Sequence, residues 1–437
     1  MTSDGKNAAR RIFQHTLAAI DVRSAIARTV ECESSRLRVG ACEYELRDFR
    51  EIVAIAFGKA AIAMADGLRV VLPHDHAPDG ILVSPSLPAV ALPGWKILVG
   101  GHPLPTEQSF AAGRLILERL TRCDEKSLVV FLISGGGSSM VEAPLDASLG
   151  LSEFQALHAA LVQCGAPIEK INVVRKHLSA TKGGRLAAAA ARSAKITLAV
   201  SDVPRGHESA LASGPTLPDP TTIADAGRVM ADYGVLAKLP PAVQRIFVEK
   251  RLRETPKEGD SAFGRAQFEI ILGEHDLLHR SHHSSEAEGI VCMADEMTDG
   301  WPLEKAAEEL LSQAEALQRE CHGKRAAILA GGELSSPVTG DGVGGRNSAF
   351  VLTCAPKIAG KKIVVLSAGT DGIDGNSPAA GAVADGETVS RASAKGMDWK
   401  DYLERSDAYN YFAKLDDAIL TGPTGNNLRD LRVVIAG

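Results

Sequence analysis

Continuous apolar segments alternate with segments of helical periodicity along the first half of the chain. The apolar runs are EIVAIAF (51–57), GILVS (80–84), WKILVG (95–100), SLVVFLIS (127–134) and KITLAVS (195–201). Unbroken runs of Val, Ile and Leu indicate strands that are buried on both faces of a parallel sheet. The segments 106–122 and 182–193 have the spacing of amphipathic helices, as does the stretch 6–30. This rhythm predicts a larger, Rossmann-like α/β domain with a parallel sheet.

The pattern restarts after residues 253–264, a polar segment with Pro and Gly that we interpret as a linker or interdomain loop. A long helix is predicted at 301–321. Further strands are predicted in QFEIILG (267–273), GIVCMA (289–294), KRAAILAGG (324–332) and KKIVVLSAG (361–369). We expect two α/β domains, residues 1–255 and a smaller domain over residues 265–437. The last run, LRVVIAG (431–437), suits either sheet.

Composition and charge narrow the class of protein. The chain carries 48 Lys and Arg against 54 Asp and Glu, and the resulting charge of -6 argues against a nucleic-acid-binding surface. Seven cysteines are scattered without a metal-ligand spacing, which is typical of reduced thiols in a cytoplasmic protein. Mixed charges near the amino terminus do not fit a signal peptide, and no apolar run is long enough for a membrane span. We expect no membrane partner, and the composition is compatible with a homodimer.

The loops that follow the apolar runs are the candidate functional segments, because parallel sheets bind ligands at the carboxyl ends of their strands. The run SLVVFLIS leads into SGGGSSM (134–140), in which three glycines would let the backbone approach a ligand. Its N–H groups and serine hydroxyl groups suit the oxygens of a phosphate or a carboxylate. The candidate anion-binding residues are Ser134, Gly135, Gly136, Gly137, Ser138 and Ser139. The alternative is a tight turn whose glycines serve packing alone.

Two charged residues follow other predicted strands. Lys59 comes just after EIVAIAF, where its ammonium group would point into the cleft, although a surface lysine is the alternative. Asp202 follows KITLAVS. A carboxylate there can bind Mg²⁺ or accept a hydroxyl proton, unless it caps the next helix.

Long Gly-rich loops also follow predicted strands of the second domain, at 329–350 and 366–385. Loops of such length in a compact domain are usually functional. Arg346 follows a pair of glycines, and its guanidinium group suits a phosphoryl group or a carboxylate. Asp371 and Asp374 have a spacing that suits either a metal ion or an Asx-type turn.

Other motifs are absent or lack their structural context. GDGVGG (340–345) matches GxGxxG, but no buried strand precedes it, so a dinucleotide fingerprint is not supported. The chain has no GxxxxGK[ST] and no GxSxG, which argues against a Walker-type NTPase and a nucleophile-elbow hydrolase. The pairs His74/His76 and His282/His283 have no third metal ligand at a compatible spacing.

Nearly the whole chain resembles the class II glycerate kinases. The motifs that carry the resemblance are AFGKAA (56–61), GGHPLPTEQS (100–109), SGGGSSM, INVVRKHLSATKGGRLA (171–187), SDVPRGHESALASGPTLPDPTT (201–222), AGGELSSPVTGDGVGGRN (330–347), SAGTDGIDGNSPAAGAVAD (367–385) and TGPTGNNLRDLRVV (421–434). The last three are similar to the family's C-terminal MOFRL domain, and residues 221–325 match least distinctively. The resemblance implies transfer of the γ-phosphoryl group of ATP to D-glycerate with Mg²⁺, giving 2-phosphoglycerate.

The resemblance also implies roles for individual residues. Lys59 would neutralise the transferring phosphoryl group, Arg346 would approach that group or the substrate carboxylate, and Asp202 would orient or deprotonate the substrate hydroxyl. Since Arg346 belongs to the smaller domain, these roles imply that the active site lies in the cleft between the two domains. Asp202 and Asp371 are the candidate metal ligands. The other residues implied in phosphate or substrate binding, besides the SGGGSS loop, are His102, Arg175, Glu333, Asp371 and Asn376.

Two other functions stay open on the sequence alone. An NAD(P)H-dependent hydroxypyruvate reductase would share the carboxylate substrate, but it requires a dinucleotide fold. A non-catalytic protein that senses an organic acid would not need charged groups at several separate strand ends.

Overall fold

The computed structural model describes residues 2–437 and contains two compact units. The N-terminal unit comprises Val22–Ile271. The C-terminal unit comprises Leu272–Gly437 together with the residues up to Asp21. Each unit combines helices with a six-stranded sheet, which confirms the predicted α/β class and two-domain organisation.

Sixteen helices and fifteen strands are present in the described residues. The helices, in chain order, are α1 (Thr2–Ala19), α2 (Val22–Thr29), α3 (Ala61–Val71), α4 (Glu107–Leu120), α5 (Gly137–Met140), α6 (Leu151–Gln163), α7 (Ile168–Leu178), α8 (Arg185–Ala189), α9 (Ile223–Asp232), α10 (Pro241–Val248), α11 (Glu274–Ala287), α12 (Leu303–Glu320), α13 (Arg346–Cys354), α14 (Thr388–Ala394), α15 (Trp399–Glu404) and α16 (Ala408–Ala413). The strands are β1 (Val30–Glu33), β2 (Arg36–Val39), β3 (Cys42–Glu45), β4 (Glu51–Phe57), β5 (Asp79–Ser84), β6 (Trp95–Val99), β7 (Ser127–Ser134), β8 (Ala194–Val200), β9 (Ala266–Leu272), β10 (Val291–Asp295), β11 (Ala326–Ala330), β12 (Ile363–Gly369), β13 (Gly381–Asp385), β14 (Ala418–Ile419) and β15 (Asp430–Ala436). Within residues 2–437, no helix combines the length and the apolar composition that a membrane span requires.

The main sheet of the N-terminal unit has the strand order β6-β5-β4-β7-β8-β9. β4 pairs in parallel with β5 and β7, and β5/β6 and β7/β8 are also parallel pairs. Every residue of β7 and β8 is buried, as their continuous apolar runs predict. The chain proceeds outward from β4 to β5 and β6, and then places β7 on the other side of β4. The topological switch point therefore lies between β4 and β7, and the crevice at a switch point is where such sheets bind ligands.

The sheet of the C-terminal unit is mixed, with the order β10-β11-β15-β12-β13-β14. β10 and β11 are parallel, whereas β15 lies in the middle of the sheet and is antiparallel to both β11 and β12. The last apolar run therefore belongs to this sheet. Asp430, the first residue of β15, pairs with Gly369, the last residue of β12. The carboxyl ends of β11 and β12 and the start of β15 thus lie at the same end of the sheet.

The predicted first domain, residues 1–255, differs from the structure at its start. Helix α1 belongs to the C-terminal unit. Lys6 Nζ lies 2.9 Å from a carboxylate oxygen of Asp417 and 3.4 Å from one of Asp385. An added Cβ on Gly5 would lie 2.8 Å from a methyl group of Val364, so the helix packs closely on β12. Helical periodicity reveals an apolar face but not its partner, which is why the sequence placed this helix with the segment that follows it.

The second predicted domain, residues 265–437, and the linker before it also differ from the structure. Lys257 Nζ donates to the carbonyl oxygen of Asp219 at 3.1 Å, and Thr255 Oγ1 donates to Asp219 Oδ2 at 3.0 Å. The polar segment 253–264 is therefore bonded into the N-terminal unit and is not a linker. It leads into β9, which joins the edge of the first sheet instead of opening the second domain.

We expect Lys6→Met to lower the free energy of unfolding by about 3 kcal/mol, because it removes a cation from the buried carboxylates of Asp417 and Asp385. Asp417 retains Arg391 as a partner, which places the effect at the low end for a broken buried pair. Urea denaturation followed by circular dichroism measures the change. The control Asp4→Asn removes an exposed ion pair of the same helix and should leave the urea midpoint unchanged. A Lys6→Met protein as stable as the wild type would contradict the anchoring of α1.

Candidate active site

The loops after β4 and β7 meet at the topological switch point of the N-terminal unit. The backbone N–H of Lys59 donates to the carbonyl oxygen of Gly135 at 2.9 Å, and the N–H of Ala60 donates to Ser134 Oγ at 2.9 Å. This approach requires Gly58, whose φ is +118° and whose added Cβ would lie 2.4 Å from the Ser134 carbonyl oxygen. The structure thus brings Lys59 and the SGGGSS loop together.

The glycines of the SGGGSSM loop allow close contact with neighbouring side chains. Gly136 has a left-handed φ of +79°, and Gly137 begins the short helix α5. An added Cβ on Gly137 would lie 2.7 Å from the ring of Phe57, and one on Gly136 would lie 2.9 Å from Cδ2 of His102. His102 follows β6 and is exposed. The end of β6 therefore also contributes a predicted site residue, His102, beside the SGGGSSM loop.

Hydrogen bonds within the protein use the hydroxyl protons of Ser138 and Ser139. Ser139 Oγ donates to the carbonyl oxygen of Gly136 at 3.2 Å. Ser213 Oγ donates its single proton to Oδ1 of buried Asn172 at 3.2 Å. Ser138 Oγ is therefore the donor in its 2.8 Å contact with Ser213 Oγ. In this structure the hydroxyl groups of Ser138 and Ser139 donate within the protein, and the backbone N–H groups at the start of α5 are the remaining candidate donors to a ligand.

The segment that holds Ser213 has an unusual backbone. Ala212, Ser213 and Gly214 are all left-handed, with φ of 48°, 63° and 62°. Alanine and serine adopt this region only where the surrounding structure imposes it, and such residues concentrate at functional sites. Sequence reasoning missed Ser213 and its partner Asn172, because the residue types of ALASG do not report the backbone angle of a serine.

A buried ion pair adjoins the loop. Lys182 Nζ lies 2.8 Å from Glu142 Oε2, and the two side chains are 1% and 2% exposed. Lys182 also donates to the carbonyl oxygen of Ser138 at 2.7 Å, while Glu142 accepts from the N–H of Ala143 at 3.0 Å and from the hydroxyl of Ser179. Burial lowers the pKa of Lys182 to about 8, against the opposing charge of Glu142. The pair holds the carbonyl group of Ser138 and hence the path of the loop, and no spacing rule had singled it out.

Helix α7 carries Asn172 and Arg175 three residues apart, and therefore on one face. Arg175 is partly buried, and its guanidinium group makes no hydrogen bond or ion pair with residues 2–437. Burial lowers the pKa of Arg175, and the charge of Glu142 opposes that change. The next residue, Lys176, is instead neutralised by Asp219 in a buried pair at 3.2 Å.

His158, on α6, lies in the electrostatic field of the same group of side chains. Its Nδ1 atom is buried and has no hydrogen-bond partner in the described part of the chain. Burial, followed by the charges of Arg175 and Lys182, lowers the pKa of His158 to about 4. The imidazole is therefore neutral at pH 7.

Asp202 lies two residues after the end of β8 and is partly buried. Ser134 and Val200, the last residues of β7 and β8, are directly paired. Because β4, β7 and β8 are neighbours in the sheet, the three strand ends that carry Lys59, the SGGGSS loop and Asp202 are adjacent.

In the C-terminal unit, Arg346 is held by two carboxylates at the edge where β11 and β12 end. Its Nε lies 2.5 Å from Asp430 Oδ2 and its Nη2 lies 3.2 Å from Asp430 Oδ1, while Nη2 also lies 2.8 Å from Glu333 Oε1. Burial alone would lower the pKa of Arg346, but the charge and hydrogen bonds of Asp430, together with Glu333, raise it. The side chain of Asp430 is 2% exposed and that of Glu333 is 39% exposed. Asp430 is therefore the fixed partner of Arg346, and Glu333 is the partner at the surface.

Asp371 bonds to the backbone of its own loop, whereas Asn376 bonds to the backbone of the loop that precedes α13. Asp371 Oδ1 accepts the N–H of Ile373 at 3.0 Å, the geometry of the Asx-type turn that the spacing also allowed. Asn376 Oδ1 accepts the N–H of Gly344 at 2.8 Å, and its Nδ2 donates to the carbonyl oxygen of Gly342 at 3.1 Å. The Asn376 amide thus joins two loops, a structural contact that the sequence did not indicate.

Asp374 has a capping role. Its carboxylate accepts the N–H groups of Asn347 and Ser348 at 2.9 Å each and the Ser348 hydroxyl at 2.6 Å, at the start of α13. Burial raises the pKa of Asp374, against these hydrogen bonds. Across residues 2–437, no group of three or more His, Cys, Asp or Glu side chains is arranged to hold a metal ion.

The glycines of GDGVGG pack against the protein itself. An added Cβ on Gly340 would lie 2.5 Å from the carbonyl oxygen of Arg405, and one on Gly342 would lie 2.6 Å from the same atom. The N–H of Val343 donates to Asp407 at 2.9 Å. The loop follows an irregular segment after β11, so it has neither the strand nor the open backbone of a dinucleotide fingerprint.

Known proteins with similar sequences and structures cover the whole of this architecture. The family model described as a domain of unknown function (DUF4147) matches residues 8–248, and the MOFRL family model matches residues 326–430. A putative hydroxypyruvate reductase of Agrobacterium vitis is 35% identical over 98% of this chain and 94% of its own length. The D-glycerate 2-kinase of Thermotoga maritima is 34% identical over 87% of this chain and 89% of its own length.

The similarity extends to a solved structure. The crystal structure of glycerate kinase from Thermotoga maritima aligns with a TM-score of 0.81 and 31% identity over 99% of both chains. Sequence, fold and domain order agree, and together they show that this chain belongs to the glycerate 2-kinase family, in which a DUF4147 domain precedes a MOFRL domain.

Proposed function

We propose that this protein phosphorylates D-glycerate on its 2-hydroxyl group, with ATP as the phosphoryl donor. The observation that carries the proposal is the meeting of Lys59 with the SGGGSS loop at the switch point of the first sheet, in a chain 34% identical to a D-glycerate 2-kinase. Phosphoryl transfer needs cations around the equatorial oxygens, fixed N–H donors and an oriented hydroxyl nucleophile, with little covalent chemistry from the protein. The adjacent ends of β4, β7 and β8 supply, in that order, the cation Lys59, the backbone N–H donors of the SGGGSS loop, and Asp202 to orient the hydroxyl group.

Lys59 provides the positive charge for the transferring phosphoryl group in this proposal. The N–H groups at the start of α5 bind an anionic oxygen of one of the two substrates, while Asp202 orients the 2-hydroxyl group and accepts its proton. His102, beside Gly136, adds a donor from the end of β6.

Arg346 provides a second cation from the C-terminal unit. Asp430 holds the guanidinium group in one orientation through its Nε and Nη2 atoms. An anionic oxygen that binds Arg346 competes with Glu333, the more exposed of the two carboxylates. In this proposal Glu333 binds Arg346 in the absence of the ligand, and an anionic oxygen of the ligand displaces it.

Mg²⁺ accompanies the nucleotide in this proposal. Mg²⁺ typically keeps several waters and is bound through one or two carboxylates plus substrate phosphates. The absence of a three-ligand cluster in the described residues fits that mode, and Asp202 and Asp371 are the candidate carboxylates. The ion would neutralise charge on the phosphate oxygens.

The other partners are small molecules. The charge of -6 disfavours nucleic acid. We infer a cytoplasmic location from the seven cysteines, which are all free in the described residues, since oxidising compartments favour disulfides. A homodimer is compatible with these properties. The hydroxypyruvate reductase alternative gains no structural support, because the glycines of GDGVGG are packed against Arg405.

Purified protein is expected to release ADP when given D-glycerate, ATP and Mg²⁺, with ³¹P NMR showing a phosphate ester on O2. Lys59→Ala and Arg346→Ala should each lower kcat/KM by about 100-fold or more, the usual effect of removing one electrostatic contact to a transition state. Lys96→Ala and Arg319→Ala, at exposed positions of the same two units, serve as controls. Oxidation of NADH or NADPH by hydroxypyruvate without ADP release would overturn the proposal in favour of the reductase.

The KM for the ligand of the SGGGSS loop should rise as the pH increases through about 8. Lys182 is cationic below that pH, and its deprotonation weakens the bond to Ser138 and leaves the negative charge of Glu142 unmatched. The charge-neutral double variant Lys182→Gln/Glu142→Gln should have a KM that is independent of pH between about 7 and 9.5. Steady-state kinetics with each substrate varied in turn identifies the ligand. A rise that persists in the double variant would assign the pH dependence to another group.

A further inference from the structure

We propose that Arg175 is the anchor for the carboxylate group of the acceptor substrate, in a subsite completed by Asn172 and Ser138. The inference deepens the proposed function and rests on it. It concerns only the N-terminal unit, where all three residues lie.

The position of Arg175 relative to the loop follows from a chain of hydrogen bonds. Asn172 shares a face of α7 with Arg175, and its Oδ1 accepts the hydroxyl proton of Ser213 at 3.2 Å. Ser213 Oγ in turn lies 2.8 Å from Ser138 Oγ, within the SGGGSS loop. This face of α7 is therefore directed to the loop at the switch point.

Arg175 differs from its polar neighbours on α7 in having no partner. Lys176 pairs with Asp219 at 3.2 Å, and His177 Nε2 lies 3.1 Å from Glu254 Oε1. In contrast, the guanidinium group of Arg175 has neither a hydrogen bond nor an ion pair to any of residues 2–437. A partly buried guanidinium group without a partner is costly, and proteins keep such groups where a ligand supplies the missing partner.

The charges of the neighbouring groups indicate the charge of that ligand. Lys182 is already neutralised by Glu142 at 2.8 Å, and Glu142 is further satisfied by Ser179 and Ala143. His158 is neutral at pH 7. Arg175 therefore contributes one uncompensated positive charge to the cluster. One carboxylate matches it, whereas a polyphosphate chain brings more negative charge than this subsite can balance.

The hydroxyl oxygen of Ser138 suits a hydroxyl group of a hydroxy acid. The proton of Ser138 is used by Ser213, so the Ser138 oxygen can act towards a ligand only as an acceptor. A carboxylate or phosphate oxygen has no proton to offer it, but a substrate hydroxyl has. A small 2-hydroxy monocarboxylate provides the anion and a hydroxyl group together.

A substrate and enzyme double-mutant cycle tests this assignment. D-glycerate and its amide, D-glyceramide, are compared as phosphoryl acceptors for the full-length wild type, Arg175→Gln and Arg175→Lys. We expect the wild type to prefer D-glycerate by about 100-fold in kcat/KM, and Arg175→Gln to lose nearly all of that preference. Its KM for D-glycerate should rise by about 100-fold, while its KM for ATP changes less than about twofold. Arg175→Lys keeps the charge but not the bidentate geometry and should lie between them.

The control is Arg192→Gln, which removes an exposed arginine of the same unit that pairs with Glu125. It should leave both KM values unchanged. Thermal melting monitors folding, and if Arg175→Gln does not fold, Arg175→Lys and the amide comparison in the wild type decide the question.

Two results would overturn the inference. The first is an undiminished preference for D-glycerate over D-glyceramide in the Arg175 variants. The second is a rise in the KM for ATP with that for D-glycerate unchanged, which would assign Arg175 to the nucleotide. If the wild type shows no kinase activity, the proposed function fails, and calorimetric titration with D-glycerate tests the subsite separately. Binding that is lost in Arg175→Gln would keep the subsite, and its absence in the wild type would reject it.

Discussion

The buried ion pair between Lys182 and Glu142 constrains the candidate site more than any other contact of the N-terminal unit. Two charges that are removed from water stay stable only when their remaining hydrogen-bonding capacity is met, and here the loop itself meets it. Lys182 binds the carbonyl oxygen of Ser138, and Glu142 binds the N–H of Ala143 and the hydroxyl of Ser179. Displacement of the loop would remove the hydrogen bond between Lys182 and the carbonyl oxygen of Ser138 at a buried site. The backbone of the candidate anion-binding loop is thus preorganised before a ligand arrives, which is the condition under which electrostatic stabilisation is most effective.

The requirement that a buried charge has a partner is met differently in the C-terminal unit. Arg346 is bound by Asp430 and Glu333, and Arg429 is bound by Asp299 and Glu274. These arginines are oriented and largely neutralised in the protein alone, whereas Arg175 is left unpaired. An incoming anion therefore binds differently in the two units. At Arg175 it pairs with a guanidinium group that has no partner, whereas at Arg346 it must displace a carboxylate of the protein.

The strands show how far the sequence could be read. Continuous apolar runs predicted β4, β7 and β8 and their parallel arrangement, because a strand that is buried on both faces consists largely of apolar residues. The assignment of β9 to the second domain and of α1 to the first was wrong. An apolar face must pack against something, but its residue types do not name the partner, so a polar stretch such as 253–264 can look like a boundary while it is bonded into one unit.

The sequence by itself determined the α/β class, the positions of the site loops after strands, and the resemblance that the family comparisons then confirmed, because these depend on local periodicity and on residue types at fixed spacing. Only the tertiary structure decided that β15 runs antiparallel through the middle of its sheet, that the hydroxyl protons of Ser138 and Ser139 are used internally, and that Arg346 is paired while Arg175 is not. Each of these depends on atoms from segments far apart in the chain. Hydrogen bonding and ion pairing act over a few ångströms in space, so they are set by which segments the fold brings together and not by their order in the sequence.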